Sequence, residues 1–304
     1  MQGGPPNTSQ VEWPTAVVGV AVYGAWLALL HWHQHLPVAV LVVLLGLLGA
    51  FFGSFQHEAI HGHPFRDRRI GDLAAAPPLA LWLPYARYRE THLLHHRSAL
   101  TDPSDDPESW YCDEATWAEA SRAKRAVLVL LRTLGGRLVL GPFVNVARFW
   151  RDEISAIADG DGARALVWLR HVVASAVVVA TVTIVFGVPL WQYLLGFTFG
   201  GLSLTMLRSF AEHRAVAEGT PSAVVEAGWF FSALFLNNNL HHTHHALPGA
   251  AWYRLPQLHR DIEGSAAASE GAGLYSGYRD VVVRHLWRPF CQPVHPHLTA
   301  DREG

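Results

Sequence analysis

Charge is what this chain has least of. Only 16% of its 304 residues are Asp, Glu, Lys or Arg, where a soluble domain carries about a quarter. With 23 basic and 25 acidic residues the formal net charge is -2. No basic excess points to nucleic acid, and no acidic run points to a solvating tail. Cysteine is nearly missing too. Cys112 and Cys291 cannot make a disulfide framework, a four-cysteine zinc site or an iron–sulfur centre. What the chain has in excess is apolar residues, at 50%, and histidine, at 19 copies. The apolar content excludes disorder.

The apolar residues fall in long runs. Val11 to Leu30 has no charge after Glu12, and Pro37 to Phe55 has none at all. Each approaches the roughly 20 apolar residues that cross a hydrocarbon core of about 30 Å. Val172 to Leu207 is a longer charge-free run with Gly187-Val-Pro189 in its middle, which predicts two antiparallel helices and a tight turn. The expectation is an all-α integral membrane protein with four transmembrane helices in two hairpins, carrying a cytoplasmic helical cap. Residues 1–12 are expected to be a disordered tail, 13–256 the membrane domain and 257–304 a C-terminal cap. The first span lacks the basic flank and cleavage site of a signal peptide. Leu73 to Ala86, with Pro77, Pro78 and Pro84, is too short to span and reads as re-entrant or interfacial. Ala223 to Leu240 is unlikely as a lipid-facing span, because it holds Glu226 and the run Asn237-Asn238-Asn239. The alternative is that both of these stretches pack as buried helices. Val139 to Ala158 suits a helix lying in the interface.

The segment 56–126 carries nine Arg or Lys residues, Arg66, Arg68 and Arg69 among them, while the turns at 31–36 and 187–192 have none. The positive-inside rule then puts both turns outside and both termini in the cytoplasm of a cell with this protein in its inner membrane.

The histidines cluster on that predicted cytoplasmic side. They form His57-x-x-x-His61, His92-x-x-His95-His96 and His241-x-x-His244-His245, with His213 shortly after the last span. On a helix, positions i, i+3 and i+4 share a face, so each box aims imidazoles one way. Nine imidazoles exceed the three or four of one zinc site. They suit two ions with open positions, and imidazole favours iron, copper, nickel or zinc. Glu58, Asp72, Glu90 and Glu212 are candidates to orient the rings. His31, His33, His35, His63 and His242 are expected outside the ligand set, and His171, His259, His285, His295 and His297 are expected to be structural or exposed.

Three boxes in this order on four spans resemble the membrane fatty acid desaturase and hydroxylase superfamily. The third box with its surroundings, NNNLHHTHHALPGAAWYRLP (Asn237 to Pro256), is similar to its bacterial fatty-acid-desaturase-type members. The resemblance covers roughly residues 50–256. It implies a non-haem centre of two iron ions (Fe2+) that uses O2 and two external electrons on an unactivated C–H bond of a lipid or acyl chain. The eight box histidines are then ligands, and His213 resembles the further ligand that acyl-CoA desaturases place between the second and third boxes. Those enzymes use an Asn four residues earlier to help hold a metal-bound water. This chain has Ser209 there, and Asn237 or Asn238 stand as substitutes.

Desaturation ranks first and hydroxylation, or a carotenoid-type oxygenation, second. The sequence has no cytochrome b5 motif and no ferredoxin cysteine set, so the electrons would come from a separate ferredoxin or cytochrome b5-type donor with its reductase. The arginines of 56–126 offer such an acidic partner complementarity. His57-Glu-Ala-Ile-His61 also fits the HExxH pattern of a zinc membrane protease with Glu58 as base, but that reading leaves two boxes unused. A metal transporter would want polar residues along its spans, and they have almost none. A ferritin-like bundle needs two Glu-x-x-His motifs, and only Glu58 to His61 supplies one.

Overall fold

The computed structural model describes residues 11–65 and 67–296. The expected tail at 1–12 lies largely outside the described residues, as do Arg66 and His297.

Helix α1 (Trp13–Trp32) and helix α2 (Val38–Ile60) form the first hairpin, joined by a short 3-10 turn (His33–His35) and closed at Pro37, the N-cap of α2. Neither helix has a polar stripe, as expected of helices surrounded by lipid and each other. Helix α8 (Gly162–Ala180) continues through a π-helical turn to Val185. It starts ahead of the charge-free run, because Asp161 caps it by accepting the Arg164 N–H at 2.9 Å. The chain then reverses at Gly187, whose φ of 73° is in the left-handed region. Helical structure resumes as α9 (Leu190–Tyr193), a π-helical segment Leu194–Gly200 and α10 (Gly201–Ser209). Among the described residues three helices are long and apolar enough to cross a membrane, namely Trp13–His35, Val38–Ile60 and Gly162–Val185. The count rises to four if α6 (Arg122–Leu130) and α7 (Leu134–Ala158), bent by 115° at their junction, are taken as one span.

Glycines set the packing of α2 against the Leu194–Ser209 run. Gly46 and Gly49 face Gly196, Gly200 and Gly201. A Cβ at Gly201 would lie 2.9 Å from the Gly49 Cα, and one at Gly196 would lie 2.9 Å from the Val42 oxygen. Small residues at such positions let helix backbones approach within the membrane.

Between α3 (Arg68–Ala75) and α4 (Tyr85–His95) the chain is not helical. This is the proline-containing stretch expected to be re-entrant. Its carbonyls are hydrogen-bonded by side chains from the helices around it. Tyr23 OH donates to Ala74 O at 2.6 Å, Gln56 Nε2 to Ala75 O at 2.9 Å and Tyr193 OH to Leu79 O at 2.8 Å. His171 Nε2 donates to Leu81 O at 2.9 Å, and Trp150 Nε1 to Trp82 O at 2.8 Å. Irregular backbone away from water persists only where such partners exist. His171, within the Gly162–Val185 helix, thus has a structural job.

The remaining elements cover one end of the bundle. They are α5 (Glu114–Glu119), α11 (Trp229–Leu234), α12 (His241–Ala246), α13 (Leu255–Asp261), α14 (Gly264–Glu270) and α15 (Tyr278–His285). Two two-residue strands, β1 (Val224–Val225) and β2 (Leu274–Tyr275), pair in parallel. The molecule is therefore mostly helical, and this ribbon is its departure from an all-α fold. It also changes the reading of Ala223 to Leu240. That stretch is a strand, one short helix and a turn rather than a single buried helix, because Leu236 and Asn237 adopt positive φ (49° and 57°) and stop α11 from continuing.

Candidate metal centre

The histidine boxes sit where four chain segments meet at the end of α2. His57 lies in its last turn and His61 is its C-cap residue. The second box closes α4, the third forms most of α12, and His213 follows α10. All nine imidazoles named from the sequence are brought together, in two groups. His57, His61, His92, His96 and His244 make one, and His95, His213, His241 and His245 make the other. In each group one nitrogen per residue lies within 4.8 Å of all the others.

The boxes divide in a regular way. The i and i+4 histidines of the second box, His92 and His96, face the first group, and the i+3 histidine, His95, faces the second. The third box is reversed: His241 and His245 face the second group and His244 the first. Adjacent residues thus serve different groups, and the two groups share a wall where the His96 and His245 rings stack at 4.3 Å.

Nε2 atoms face one another across each group. His92 Nε2 is 3.2 Å from those of His61 and His96, and His96 Nε2 is 3.1 Å from that of His244. In the second group His213 Nε2 is 3.1 Å from that of His95 and 2.9 Å from that of His241, and His245 Nε2 is 3.1 Å from that of His241. Lone pairs so close repel unless a cation shares them. Nitrogens at about 2.0–2.1 Å around one transition metal ion are roughly 2.9–3.4 Å apart, for octahedral and tetrahedral angles respectively. The donor set therefore fits one metal ion per group.

The outward nitrogens are held. His95 Nδ1 lies 2.7 Å from Asp106 Oδ1, and His92 Nδ1 lies 2.9 Å from Glu108 Oε1. His241 Nδ1 is 3.2 Å from Asn238 Oδ1 and 3.4 Å from Glu212 Oε1, and His213 Nδ1 is 3.3 Å from Ser222 Oγ. An Nδ1–H given to an oxygen leaves Nε2 as the bare donor. Asp106 is itself fixed, accepting the Thr101 and Glu108 N–H groups at 3.0 and 2.9 Å.

Of the four carboxylates singled out in the sequence, Glu212 comes nearest a box ring, 3.4 Å from His241 Nδ1 without a hydrogen bond, and pairs with Arg208 at 3.0 Å. Glu58 Oε2 instead accepts the Trp252 N–H at 3.1 Å, tying α2 to the chain beyond the third box. Asp72 pairs with Arg89 and Tyr85, and Glu90 with Arg87. Asp106 and Glu108 went unrecognised. Their signal was the acidic run Asp102 to Glu108 just beyond the second box. Ser209 ends α10, its carbonyl accepting the Glu212 N–H. Asn238, between His57 and His241, is the asparagine at the site, whereas Asn237 donates to Trp252 O. Among the histidines expected outside the set, His63 pairs with Glu12 at 2.6 Å and His242 with Thr220 at 3.1 Å.

Burial, then the neighbouring imidazoles, lower the pKa of several of the clustered histidines and hold them neutral. His61 is pushed down to about 2 and His96 to about 3. His213, His241, His244 and His245 lie well below the ordinary value for the same reasons. His95 is the exception. Burial opposes its charge, but Glu108 and Asp106 outweigh it and raise it to about 9. Glu108 keeps 39% of its side chain exposed, so water screens part of that pull. Burial raises Glu212 to about 7 against the pull of Arg208.

These shifts give the metal-free protein a pH dependence. Between pH 6.5 and 5 the unfolded chain protonates imidazoles of ordinary pKa, about 6.5, while six folded ones stay neutral. The unfolded state then binds more protons, and stability falls as pH falls. Glu212 acts oppositely, since its folded carboxyl holds a proton the unfolded chain has released, but the six neutral imidazoles outnumber the groups whose folded pKa is raised. The extra stability of protonated His95 is fully present below pH 6.5 and fades as pH rises toward 9. Metal-free protein in detergent should therefore melt at a lower temperature at pH 5.5 than at pH 7. An equal or higher midpoint in acid would refute the neutral-imidazole assignment.

The fatty acid desaturase family profile matches residues 34–276. The apolar helices and the clustered imidazoles fit a histidine-rich, metal-binding membrane protein, and the match covers all three boxes and His213. The chain belongs to the fatty acid desaturase family. No individual curated protein matches its sequence.

Proposed function

We propose that this protein is a membrane-bound, O2-dependent di-iron oxidoreductase that introduces a C=C bond into a fatty acyl chain with electrons from a separate donor. The observation that carries the reading is the pairing of a five-imidazole and a four-imidazole group through shared boxes. His57, His61, His92, His96 and His244 would hold one iron, and His95, His213, His241 and His245 the other. Two irons so held supply, when bound, oxidation of an unactivated C–H bond by O2. The chain's own residues do the rest. Asp106 and Glu108 orient His95 and His92, burial keeps rings such as His61, His96 and His244 unprotonated, and the apolar surroundings keep water from the site. Asn238 stands where it can orient a water between the groups. Four spans in two hairpins, with the site and both termini facing the cytoplasm of the inner membrane, suit a greasy substrate entering from the bilayer and a soluble ferredoxin or cytochrome b5-type donor. Hydroxylation of an alkyl, acyl or carotenoid-type substrate shares the first hydrogen removal and is the second reading. The HExxH protease reading is disfavoured, because Glu58 is occupied by the Trp252 N–H.

Lipid profiling of cells with and without the protein tests this. An unsaturated product should appear with the intact chain and vanish with a stably expressed His244→Ala. A hydroxylated product would select the second reading, and a product that persists in the variant would remove His244 from the ligands.

A further inference from the structure

Helix α12 has little of its own to hold it in place. It has six residues, and Leu240 at its N-cap makes no side-chain cap. Helices this short are marginal alone. Yet α12 supplies imidazoles to both groups, His241 and His245 to one and His244 to the other. Its placement therefore sets both metal positions at once.

The anchor lies behind the box. Thr243 follows His241 by two residues, about 200° round the helix, so it is on the face turned away from the three imidazoles. It is 0% exposed, and its Oγ1 lies 2.7 Å from His259 Nδ1 on α13. His259 Nε2 lies 2.9 Å from Ser265 Oγ on α14, and Ser265 donates to Glu226 Oε1 at 2.8 Å. Counting protons gives this chain a direction. Burial lowers the pKa of His259, so its ring carries one proton at pH 7. Ser265 gives its only hydroxyl proton to the carboxylate, so it accepts from His259 Nε2–H. His259 Nδ1 is then bare and accepts the Thr243 O–H. Every bond runs toward Glu226, which directly follows β1 and whose own N–H donates to Tyr275 O at 2.8 Å. Hydrogen bonds running one way strengthen one another. Gly264 lets α14 close over the link, since a Cβ there would overlap His259 Nδ1 and lie 2.9 Å from Thr243 Oγ1.

We infer that Thr243 and His259 are positioning residues for the metal centre. Neither belongs to an imidazole group. They act through α12, which the chain to Ser265 and Glu226 ties to the β1–β2 ribbon so that its histidines meet both ions. The inference rests on the di-iron reading above, and its test has one arm that needs no metal.

The experiment uses the full chain in detergent. Thr243→Val keeps the side chain's shape and removes the hydroxyl, and Thr243→Ser keeps the hydroxyl. With iron-57 loading, Thr243→Val should alter both Mössbauer signals, where replacing a single box histidine should alter one. It should lower turnover about tenfold or more, the scale of losing an outer partner of a metal site, and Thr243→Ser should restore both. In metal-free protein, amide hydrogen exchange across α12 should be faster in Thr243→Val and in Ser265→Ala, and native in Thr243→Ser. If Thr243→Val does not fold, Ser265→Ala decides, since it breaks the chain at its less buried end. Native exchange and native spectra in the folded variant overturn the inference. So does a Thr243→Ser as impaired as Thr243→Val, because the hydroxyl would then not be what matters. Faster exchange in Thr243→Val, in a protein whose native form does not load two irons, upholds the anchor and counts against the di-iron reading alone.

Discussion

His213→Ala is expected to lower the iron content of the loaded protein from about two ions per chain to about one, whereas His61→Ala should leave it closer to two. The asymmetry follows from the group sizes. Removing His213 cuts a group of four imidazoles to three, while removing His61 leaves four of five. Both variants should lose turnover by more than the roughly 10–100-fold that outer-sphere partners of metal ligands command, because each removes a direct donor. The division of the boxes sharpens the test. His244→Ala and His245→Ala change adjacent residues yet should perturb different ions, and so should His95→Ala and His96→Ala. With iron-57 loading, Mössbauer spectra should show one of two iron signals altered in each variant. Equal loss from both signals in every variant would mean that the groups are not separate sites.

That division was only partly legible in the sequence. The spacing of the boxes gave the faces, since i, i+3 and i+4 positions point one way from a helix. It could not tell which ring of a face turns to which ion, because that depends on how α4 and α12 lie against one another across residues far apart in the chain. Asp106 and Glu108 were hidden for a related reason. They are bound to His95 and His92 through a turn stabilised by Asp106 itself, and turn geometry leaves no periodic trace. Hydropathy marked the charge-free runs well, since lipid demands them. It misplaced the start of α8, which is set by the Asp161 cap. It also suggested a helix across Ala223 to Leu240, where two positive-φ residues end α11 and put Asn238 beside His57 and His241.

Gly49→Leu is expected to destabilise the protein by about 3 kcal/mol or more, above the usual overpacking range because the obstacle is backbone rather than a movable side chain. A Cβ at this position would overlap the Phe197 carbonyl oxygen and lie 3.1 Å from the Gly201 Cα. Neither can turn aside as a rotamer can. The yield of monodisperse, detergent-stable protein and its melting temperature measure the effect. Gly24→Leu on α1 is the matched control, since a Cβ there meets nothing within 4 Å; if it destabilises equally, close backbone approach is not the cause. The milder Gly49→Ala has a separate consequence. Helix α2 carries His57 and ends at His61, and α10 leads to His213, so the Gly49–Gly201 contact sets how far apart the two halves of the metal centre stand. Levering these helices apart by even part of an ångström should cost activity out of proportion to stability, as misplacement of about 1 Å can cost a hundredfold in rate. Gly49→Ala with an unchanged melting temperature and full turnover would show that this spacing is set elsewhere.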